Sequence, residues 1–252
     1  MCALQSKYNR IIWGDCLDAL PKLPMAKLVF ADPPDNIRAP YKDFDDHWKD
    51  DFSYSHWLQR MINVGITNSR IFWMSYNVIH SRHAWKAAGY YMDFGLEVRE
   101  ILWRYTFGQC NTHDSTGGYR PMMRIRGDRN IKLYPDAIKV ESARQKLGDR
   151  RAKPGGRVPD AVWDFPRIVG NAKERVKWAT TQHPQKLMER IIKLCCKPGD
   201  LVIDMFGHSF TTARVCERLG IKCISIEIDK YYCHKGAKEL NCKVTQVKRR
   251  KE

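Results

Sequence analysis

An aspartate, two prolines and a second aspartate follow a short apolar run, and their types indicate chemistry on an amino group. The stretch from Leu28 to Asp35 reads LVFADPPD. Asp32 ends a predicted buried strand, and Pro33 and Pro34 have no N–H, so the chain leaves the sheet in an extended turn whose carbonyl oxygens can accept hydrogen bonds. Such acceptors suit the amino group of a planar base, which loses planarity when its nitrogen attacks an electrophile. The structural alternative is a strand-ending turn with a helix-capping aspartate, and an isolated DPP favours it.

A second unit far along the chain has the pattern of a nucleotide-binding element. A predicted strand from Leu201 ends at Asp204, the loop FGHSFTT follows, and a helix is predicted from about Thr211 to Leu219. The next strand, KCISIEID, contains Glu227, roughly 20 residues beyond the loop, where a Rossmann-like fold places a carboxylate on ribose hydroxyls. The unit therefore predicts one strand, loop, helix and strand that together bind a cofactor.

The remaining periodicity predicts an α/β protein. Helical spacing covers 52–66, 79–88 and 185–196, the second of these ending at Gly89, and strands are predicted over 70–74 and 97–105. The segment 11–20 predicts a strand, a turn at Gly14 and a helix that Asp15 could cap. The polar and aromatic stretch 36–51 predicts a loop over a site.

The charge of the chain indicates a polyanionic partner. The 252 residues carry a net charge of +16, and the segment 120–157 supplies half of it, with 12 Lys or Arg against four acidic residues. This weakly periodic segment predicts a region that binds nucleic acid, and a mobile surface loop is the alternative. The mixture of cationic and aromatic residues from Trp163 to Trp178 also suits a nucleic-acid channel. The candidate DNA contacts are Arg120, Arg124, Arg126, Arg129, Arg150, Arg151, Lys153 and Arg157.

Cysteine spacing and hydropathy limit the other classes of function. The nine cysteines form no CxxC pair or spaced His/Cys set, so neither a metal site nor a disulfide framework is predicted. The N-terminus has no apolar signal core, and no segment approaches 18 uninterrupted apolar residues. A soluble, cytoplasmic protein without membrane contact is the expectation.

The order of these motifs resembles that of the β-class DNA amino-methyltransferases, which transfer a methyl group from S-adenosylmethionine to the exocyclic amino group of adenine or cytosine. The catalytic strand comes first, a target-recognition region lies in the middle, and the cofactor unit comes last. Further matches are GDC at 14–16, GRVPDAVWDFPRI at 156–168, NAKER at 171–175 and HPQK at 183–186. Together these motifs cover most of the chain.

The resemblance implies a Rossmann-like methyltransferase sheet with helices on both faces. It divides the chain into a catalytic part (1–108), a basic target-recognition insertion with its linker (109–180) and a cofactor-binding part (181–252). It also implies double-stranded DNA as the partner, base flipping, in-line methyl transfer without a metal, and homodimers in many family members. Restriction-modification, modification of a mobile element's own DNA and cell-cycle marking all stay open as biological roles.

The resemblance assigns roles to individual residues. Asp32 and the Pro33 carbonyl would accept hydrogen bonds from the target amino group, within a catalytic motif that also includes Pro34 and Asp35, and an Asp at position 32 favours adenine over cytosine. The cofactor-binding candidates are Asp15, Cys16, His183, Lys186, Asp204, Phe206, Gly207, Ser209, Thr211 and Glu227. Without its neighbours, His183-Pro184 would be a simple helix start.

Two departures from the family pattern leave alternatives open. Asp35 stands where the family has an aromatic residue, usually Tyr, so Tyr41, Phe44 or Trp48 would have to supply the ring that stacks on a flipped base; otherwise these three pack only the loop. His208 and Phe210 occupy two glycine positions of the cofactor loop, where side chains would project toward the cofactor unless Gly207 shifts the turn. The alternatives to an adenine methyltransferase are an enzyme with another donor, a modified base or RNA, and a non-catalytic DNA-binding protein.

Overall fold

The computed structural model describes residues 6–105, 117–128 and 130–247, which form one mixed sheet with helices on both faces. The strands are β1 (Asn9–Trp13), β2 (Ala26–Ala31), β3 (Ser69–Ser75), β4 (Glu97–Arg104), β5 (Tyr119–Arg126), β6 (Val162–Asp164), β7 (Leu201–Asp204), β8 (Lys222–Glu227) and β9 (Lys243–Gln246). The helices are α1 (Cys16–Ala19), α2 (Asp51–Thr67), α3 (Ser81–Asp93), α4 (Ala143–Lys146), α5 (Gln185–Cys195), α6 (Thr211–Arg218) and α7 (Lys230–Leu240). The predicted α/β fold class is confirmed.

The sheet has the order β6-β4-β5-β3-β2-β7-β8-β1-β9. Its strand pairs are parallel except where β5 runs antiparallel between β3 and β4. Strands β2, β3 and β4 lie in the predicted catalytic part, and β5 lies in the predicted insertion. Strands from all three predicted parts therefore share one sheet, and the division of the chain at 108 and 180 stays a prediction.

Alternate residues of the central strands enter two cores, one on each face of the sheet. Leu28 and Phe30 of β2 pack in the core that α5, α6 and α7 cover. Val29 and Ala31 pack in the opposite core, which contains the buried faces of α2 and α3. Because both faces are covered, the central strands have the continuous apolar runs that the sequence displays.

The third helix differs from its prediction. A helix over 79–88 that ends at Gly89 was expected, but α3 continues through that glycine to Asp93. Tyr91, on the additional turn, donates its hydroxyl to Asn63 of α2 at 2.9 Å, so contact with α2 outweighs the low helix propensity of Gly89. Gly95, with a φ of +79°, ends the segment. Within the described ranges, no helix is long and apolar enough to cross a bilayer.

Candidate active site

The carboxyl ends of four neighbouring parallel strands bring the sequence motifs together. β2 leads to Asp32, β7 ends at Asp204, β8 ends at Glu227, and β1 leads to Asp15. Phe30 lies opposite Asp204 in the register of β2 and β7. Ligands of open α/β sheets bind in the crevice at this edge, so the catalytic and cofactor motifs share one site despite their separation in the chain.

Two adjoining cavities occupy this edge. The first cavity, of about 930 Å³, is lined by Asp15, Cys16 and Glu227. The second cavity, of about 900 Å³, is lined by Asp204, Arg120 and His183. The residues common to both linings are Asp32, Tyr41, Thr181, Phe206 and His208. Asp32 is thus the residue of the DPPD turn that borders both spaces.

The second cavity also collects several predicted cofactor residues. These are His183, Asp204, Phe206, Gly207, Ser209 and Thr211. Lys186 differs from the prediction because its side chain is exposed on α5 and lines neither cavity. The N-cap of α5 is Pro184, so the helix begins just after His183 and its first turn directs Lys186 away from the site.

A single arginine joins the two aspartates of the turn. Arg120 of β5 donates from Nη2 to Asp32 Oδ1 at 2.9 Å, from Nη1 to Asp35 Oδ2 at 2.9 Å and from Nη2 to Asp35 Oδ1 at 3.0 Å. Its Nε donates to Ser75 Oγ of β3 at 2.7 Å. Arg120 was predicted as a DNA contact; its guanidinium lies inside the site on Asp32 and Asp35, and a contact with DNA stays a prediction.

Charge and burial oppose each other at Asp32. Burial raises the pKa of Asp32, but the positive charge of Arg120, the nearby His183 and hydrogen bonds from Ser75 and Arg120 outweigh it, so the pKa lies below its ordinary value. His183 Nδ1 lies 3.6 Å from Asp32 Oδ2, and burial lowers the pKa of this imidazole. Asp32 is therefore an ionised acceptor beside a histidine that favours the neutral form.

The turn uses two of its carbonyl groups internally. The Pro34 carbonyl accepts from the Tyr54 hydroxyl at 3.0 Å, and the Asp35 carbonyl lies 2.6 Å from His80 Nε2. Among the described residues, no donor reaches the Pro33 carbonyl. These two contacts fix the turn, in which Asp32 borders both cavities, whereas Pro33 is buried and lines neither of them.

The cofactor loop accommodates its two unusual side chains in different ways. His208 and Phe210 have φ values of +35° and +54°, a region that favours glycine. The Phe210 ring is fully buried, packs against Gly207 and Gly236, and lines neither cavity. The expected obstruction is therefore absent at Phe210, because the ring points into the core beneath α7.

Of these two unusual side chains, His208 is the one that borders the cavities. Its ring centroid lies 5.6 Å from that of Tyr41 and 4.5 Å from that of Tyr232, with both pairs edge to face. Its Nε2 lies 3.2 Å from Thr180 Oγ1. Burial lowers the pKa of His208 to about 4, so the ring is neutral at neutral pH and joins three segments around the site.

The two carboxylates of the cofactor motif, Asp204 and Glu227, are buried and accept hydrogen bonds. Glu227 accepts from the backbone N–H of His208 at 2.7 Å and of Asp229 at 2.8 Å. Burial raises the pKa of Glu227 to about 7 and also that of Asp204 to about 7. Each Glu227 oxygen keeps a lone pair for another donor. A group with a ribose diol, such as S-adenosylmethionine, fits this acceptor at the wall of the first cavity.

The loop 36–50 is built around two aspartates. Asp46 is buried and accepts from the backbone N–H groups of Asn36, Ile37 and Ala39 at 2.7 to 3.1 Å. Asp229 accepts from the N–H groups of 42 and 43 at 3.0 and 2.7 Å. These bonds fix the loop beside β8 and place its aromatic rings at the first cavity.

The three stacking candidates occupy different positions. Tyr41 borders both cavities, whereas Phe44 and Trp48 line the first cavity and continue an aromatic row to Trp57. Sequence reasoning missed four further aromatic residues that line the second cavity besides Tyr41 and Phe206: Phe30, Trp103, Tyr105 and Tyr119. The signal that could have found them is the aromatic pair at the end of the predicted strand 97–105, since strand ends meet at the site edge.

The basic candidates divide by exposure. Arg124 and Arg126 were predicted as DNA contacts. They lie on β5 with little exposure and form ion pairs with Glu97 of β4, so their guanidinium groups neutralise a carboxylate within the sheet. Arg129 lies outside the described residues. The exposed candidates are Arg150, Arg151, Lys153 and Arg157.

One group of possible metal ligands lies near the turn. Ligand atoms of Asp51, His80 and His83 lie within 4.8 Å of one another. Arg82 forms an ion pair with Asp51 and donates to His83 Nε2 at 3.2 Å. Arg82 therefore already contacts two of these three ligands, and a metal ion would have to displace its guanidinium group.

Comparisons with known proteins identify the family. Residues 26–239 match the family model described as DNA methylase, N6_N4_Mtase. The chain is 32% identical over 271 residues to the DNA adenine methyltransferase YhdJ of Escherichia coli (strain K12), covering 96% of this chain and 88% of that protein. The crystal structure of PvuII DNA methyltransferase (cytosine-N4-specific) matches with a TM-score of 0.71 at 18% identity, covering 92% of this chain and 86% of that one.

A further solved structure contains the cofactor. The M1.HpyAVI-SAM complex matches with a TM-score of 0.58 at 20% identity and covers 92% of this chain and 100% of that chain. The chain belongs to the N6/N4 DNA methylase family, the β-class amino-methyltransferases that transfer a methyl group from S-adenosylmethionine to DNA.

Proposed function

We propose that this protein methylates the N6 amino group of adenine in double-stranded DNA. The observation that carries the proposal is the position of Asp32, an ionised acceptor that borders both cavities at the end of β2. An acceptor in this position can hold an amino group from one space opposite a methyl donor in the other.

Two arguments favour adenine over cytosine. The relative with 32% identity is a DNA adenine methyltransferase, whereas the cytosine-N4-specific structure is 18% identical. The residue before the two prolines is Asp32, and the family resemblance associates Asp at this position with adenine. Cytosine N4 is the competing outcome of the test described below.

The residues of the turn align the nucleophile. When bound, S-adenosylmethionine supplies an electrophilic methyl group on a sulfonium. Asp32 and the Pro33 carbonyl accept the two N–H groups of the amino group, which turns its nitrogen lone pair out of the ring plane. The negative charge of Asp32 also stabilises the positive charge that develops on that nitrogen. As the N–C bond forms in line, the bond between sulfur and methyl would break with its electron pair on sulfur, so the demethylated cofactor is the leaving group, and the methylated nitrogen would lose one proton to solvent. This transfer needs alignment more than acid or base catalysis.

The aromatic part of the second cavity would receive the target base after it leaves the duplex, and predicted cofactor residues of the same cavity, Asp204 and Phe206 among them, would border the methionine end of the cofactor. A flipped base needs flat neighbours and a polar edge contact. Trp103, Tyr105 and Tyr119 line this cavity, and Tyr41 borders it from the loop 36–50. The exposed basic residues of the segment 150–157 would contact phosphates and hold the duplex in register.

The test is a product analysis on unmethylated DNA. Purified protein and isotopically labelled S-adenosylmethionine are incubated with the DNA, which is digested to nucleosides and analysed by mass spectrometry. We expect labelled N6-methyldeoxyadenosine, and Asp32→Asn lowers its rate of formation by about 10² to 10⁴. Labelled N4-methyldeoxycytidine would contradict the adenine assignment. Cofactor binding without any methylated nucleoside, over DNA of varied sequence, would contradict the DNA methyltransferase activity of this particular chain.

A further inference from the structure

We propose that Arg120 is a positioning residue for methyl transfer: it holds the Asp32 carboxylate in place, and Asp35 is the counter-ion that holds Arg120. This inference rests on the proposed function, because it concerns the same acceptor turn. It gives Asp35, which cannot stack on a base, a specific task within the catalytic motif.

The geometry fixes the guanidinium from three elements. Asp32 and Asp35 belong to the turn after β2, Ser75 ends β3, and Arg120 projects from β5. The four hydrogen bonds are 2.7 to 3.0 Å long, and the side chain of Arg120 is 18% exposed. A planar guanidinium with several fixed partners has little rotational freedom, so Asp32 Oδ1 has a fixed position relative to the sheet.

The two contacts to Asp35 explain why one arginine can serve both carboxylates. Asp35 receives a bidentate pair from Nη1 and Nη2 of Arg120, while Asp32 receives a single hydrogen bond from Arg120, through Oδ1. Arg120 therefore does not occupy Asp32 Oδ2, the oxygen that lies 3.6 Å from His183 Nδ1 and that we assign to the amino group. If Asp35 were uncharged, the guanidinium would have only Asp32 as an ionic partner and would compete more strongly with the substrate for this carboxylate.

Several titratable groups surround Asp32, and Arg120 is the permanent cation among them. Those contributing to its electrostatic environment are Asp35, Tyr41, Tyr54, Arg120, His183, Asp204 and His208. Burial lowers the pKa of both histidines, so neither replaces the charge of Arg120 at neutral pH. Removing that charge leaves a buried carboxylate next to further acidic groups, which favours its protonation.

The first measurement follows the Asp32 carboxyl directly. Protein with ¹³C-labelled aspartate carboxyls is titrated, and the Asp32 resonance is assigned by its loss in Asp32→Asn. We expect Arg120→Gln to raise the pKa of Asp32 by about one unit or more, and Asp35→Asn to lower it. Arg99→Gln, the same substitution at an exposed position of β4, leaves it unchanged. Equal titration curves in the wild type and Arg120→Gln would overturn the proposal.

The second measurement is the pH dependence of the methylation rate. Arg120→Gln should lower kcat by about 10- to 100-fold and move its acidic limb to higher pH, while the KM for S-adenosylmethionine changes by less than about twofold. A fall in rate that thermal melting explains fully, with an unmoved acidic limb, would mean a structural role only and overturn the proposal. If Arg120→Gln does not fold, Arg120→Lys replaces it: a single ammonium cannot bridge both carboxylates, so an intermediate shift is expected, and none would overturn the proposal.

The two readouts separate this inference from the proposed function. If the wild type methylates no DNA, the adenine proposal fails, but the titration still measures whether Arg120 controls the state of Asp32. If the wild type is active and the titration of Asp32 does not depend on Arg120, the positioning role fails while the adenine proposal stands.

Discussion

The ring of Phe210 fills the space that a side chain at Gly236 would need. A Cβ added to Gly236 of α7 would overlap the ring carbons of Phe210, and one added to Gly207 would lie 2.6 Å from Phe210 Cε1. Phe210 stands at a position where the family has glycine, and it is accommodated because two other glycines flank its ring. The Phe210 ring therefore lies in the core behind the cofactor loop and does not enter either cavity.

This packing predicts an unusual response to a glycine replacement in a helix. Glycine to alanine inside a helix ordinarily stabilises a protein by about 0.5–1 kcal/mol, and Gly89→Ala in α3 should do so because nothing lies within 4 Å of the added Cβ. Gly236→Ala should instead destabilise by about 1–3 kcal/mol, since it overpacks the core. Chemical denaturation of both variants makes the comparison.

A third variant checks the cause. Combining Gly236→Ala with Phe210→Leu should recover part of the lost stability, because the smaller side chain vacates the overlap. If Gly236→Ala is as stabilising as Gly89→Ala, the Phe210 ring does not occupy this space.

Replacing Asp204 by a neutral residue should increase the free energy of unfolding by an amount that depends on pH. Burial raises its folded-state pKa from 3.8 to about 7, so the folded protein binds more protons than the unfolded chain between these values, and its stability falls as the pH rises through that window. Asp204→Asn removes this penalty while retaining an acceptor for the Phe206 N–H. The gain should grow from about pH 4 to pH 7 and reach on the order of 4 kcal/mol above it.

Glu227 supplies the contrast for that experiment. Its pKa is also raised to about 7 by burial, but its two oxygens each accept a backbone N–H. In Glu227→Gln the amide NH2 would face one of these two backbone N–H groups, which places two donors opposite each other. Glu227→Gln should therefore show much less of the gain in stability that Asp204→Asn shows. Denaturation at pH 5 and pH 8 measures both, and a pH-independent effect of Asp204→Asn would contradict the assignment.

Two exposed cations predict the salt dependence of DNA binding. Arg150 and Lys153 are exposed, whereas Arg151 pairs with Asp149 at 2.9 Å and Arg157 with Asp160 at 3.1 Å. If Arg150 and Lys153 contact phosphates, replacing both by Gln should reduce the slope of log K against log salt concentration by about 1.8, which is 0.9 for each contact. Fluorescence anisotropy with a labelled duplex gives the slope.

Arg124→Gln is the control because its side chain is buried and paired with Glu97. It should lower the free energy of unfolding and leave the salt slope unchanged. If the salt slope decreases in Arg124→Gln and is unchanged in the double variant, the phosphate contacts lie elsewhere.

Motif order predicted the site edge well because it depends on local patterns. Strands that end at Asp32, Asp204 and Glu227 can be identified from apolar runs, and parallel strands place their ends together. The location of Arg120 could not be predicted, since it depends on β5 inserting antiparallel between β3 and β4. The charges on that strand indicated a surface region, and their partner Glu97 becomes visible only when β4 and β5 pair.

The loop 36–50 shows a second limit of local reasoning. Its polar composition predicted a loop over the site, but composition does not reveal which of its four aspartates is buried. Asp46 is 1% exposed, and its role follows from the turn of the chain that brings three N–H groups to one carboxylate. Asn36 and Arg38 have φ values of +52° and +59° there, a conformation that the carboxylate stabilises against its cost.

Asp46 therefore predicts how the loop controls the site. Asp46→Asn replaces one accepting oxygen by a donor that faces a backbone N–H, so the loop loses at least one bond and Tyr41 loses its fixed place between the cavities. We expect faster amide hydrogen exchange across 36–48 and weaker binding of S-adenosylmethionine by about tenfold, measured by calorimetry. Asp43→Asn, whose side chain is exposed, is the matched control and should change neither. Faster exchange with unchanged cofactor affinity would show that the loop does not contribute to the first cavity's ligand.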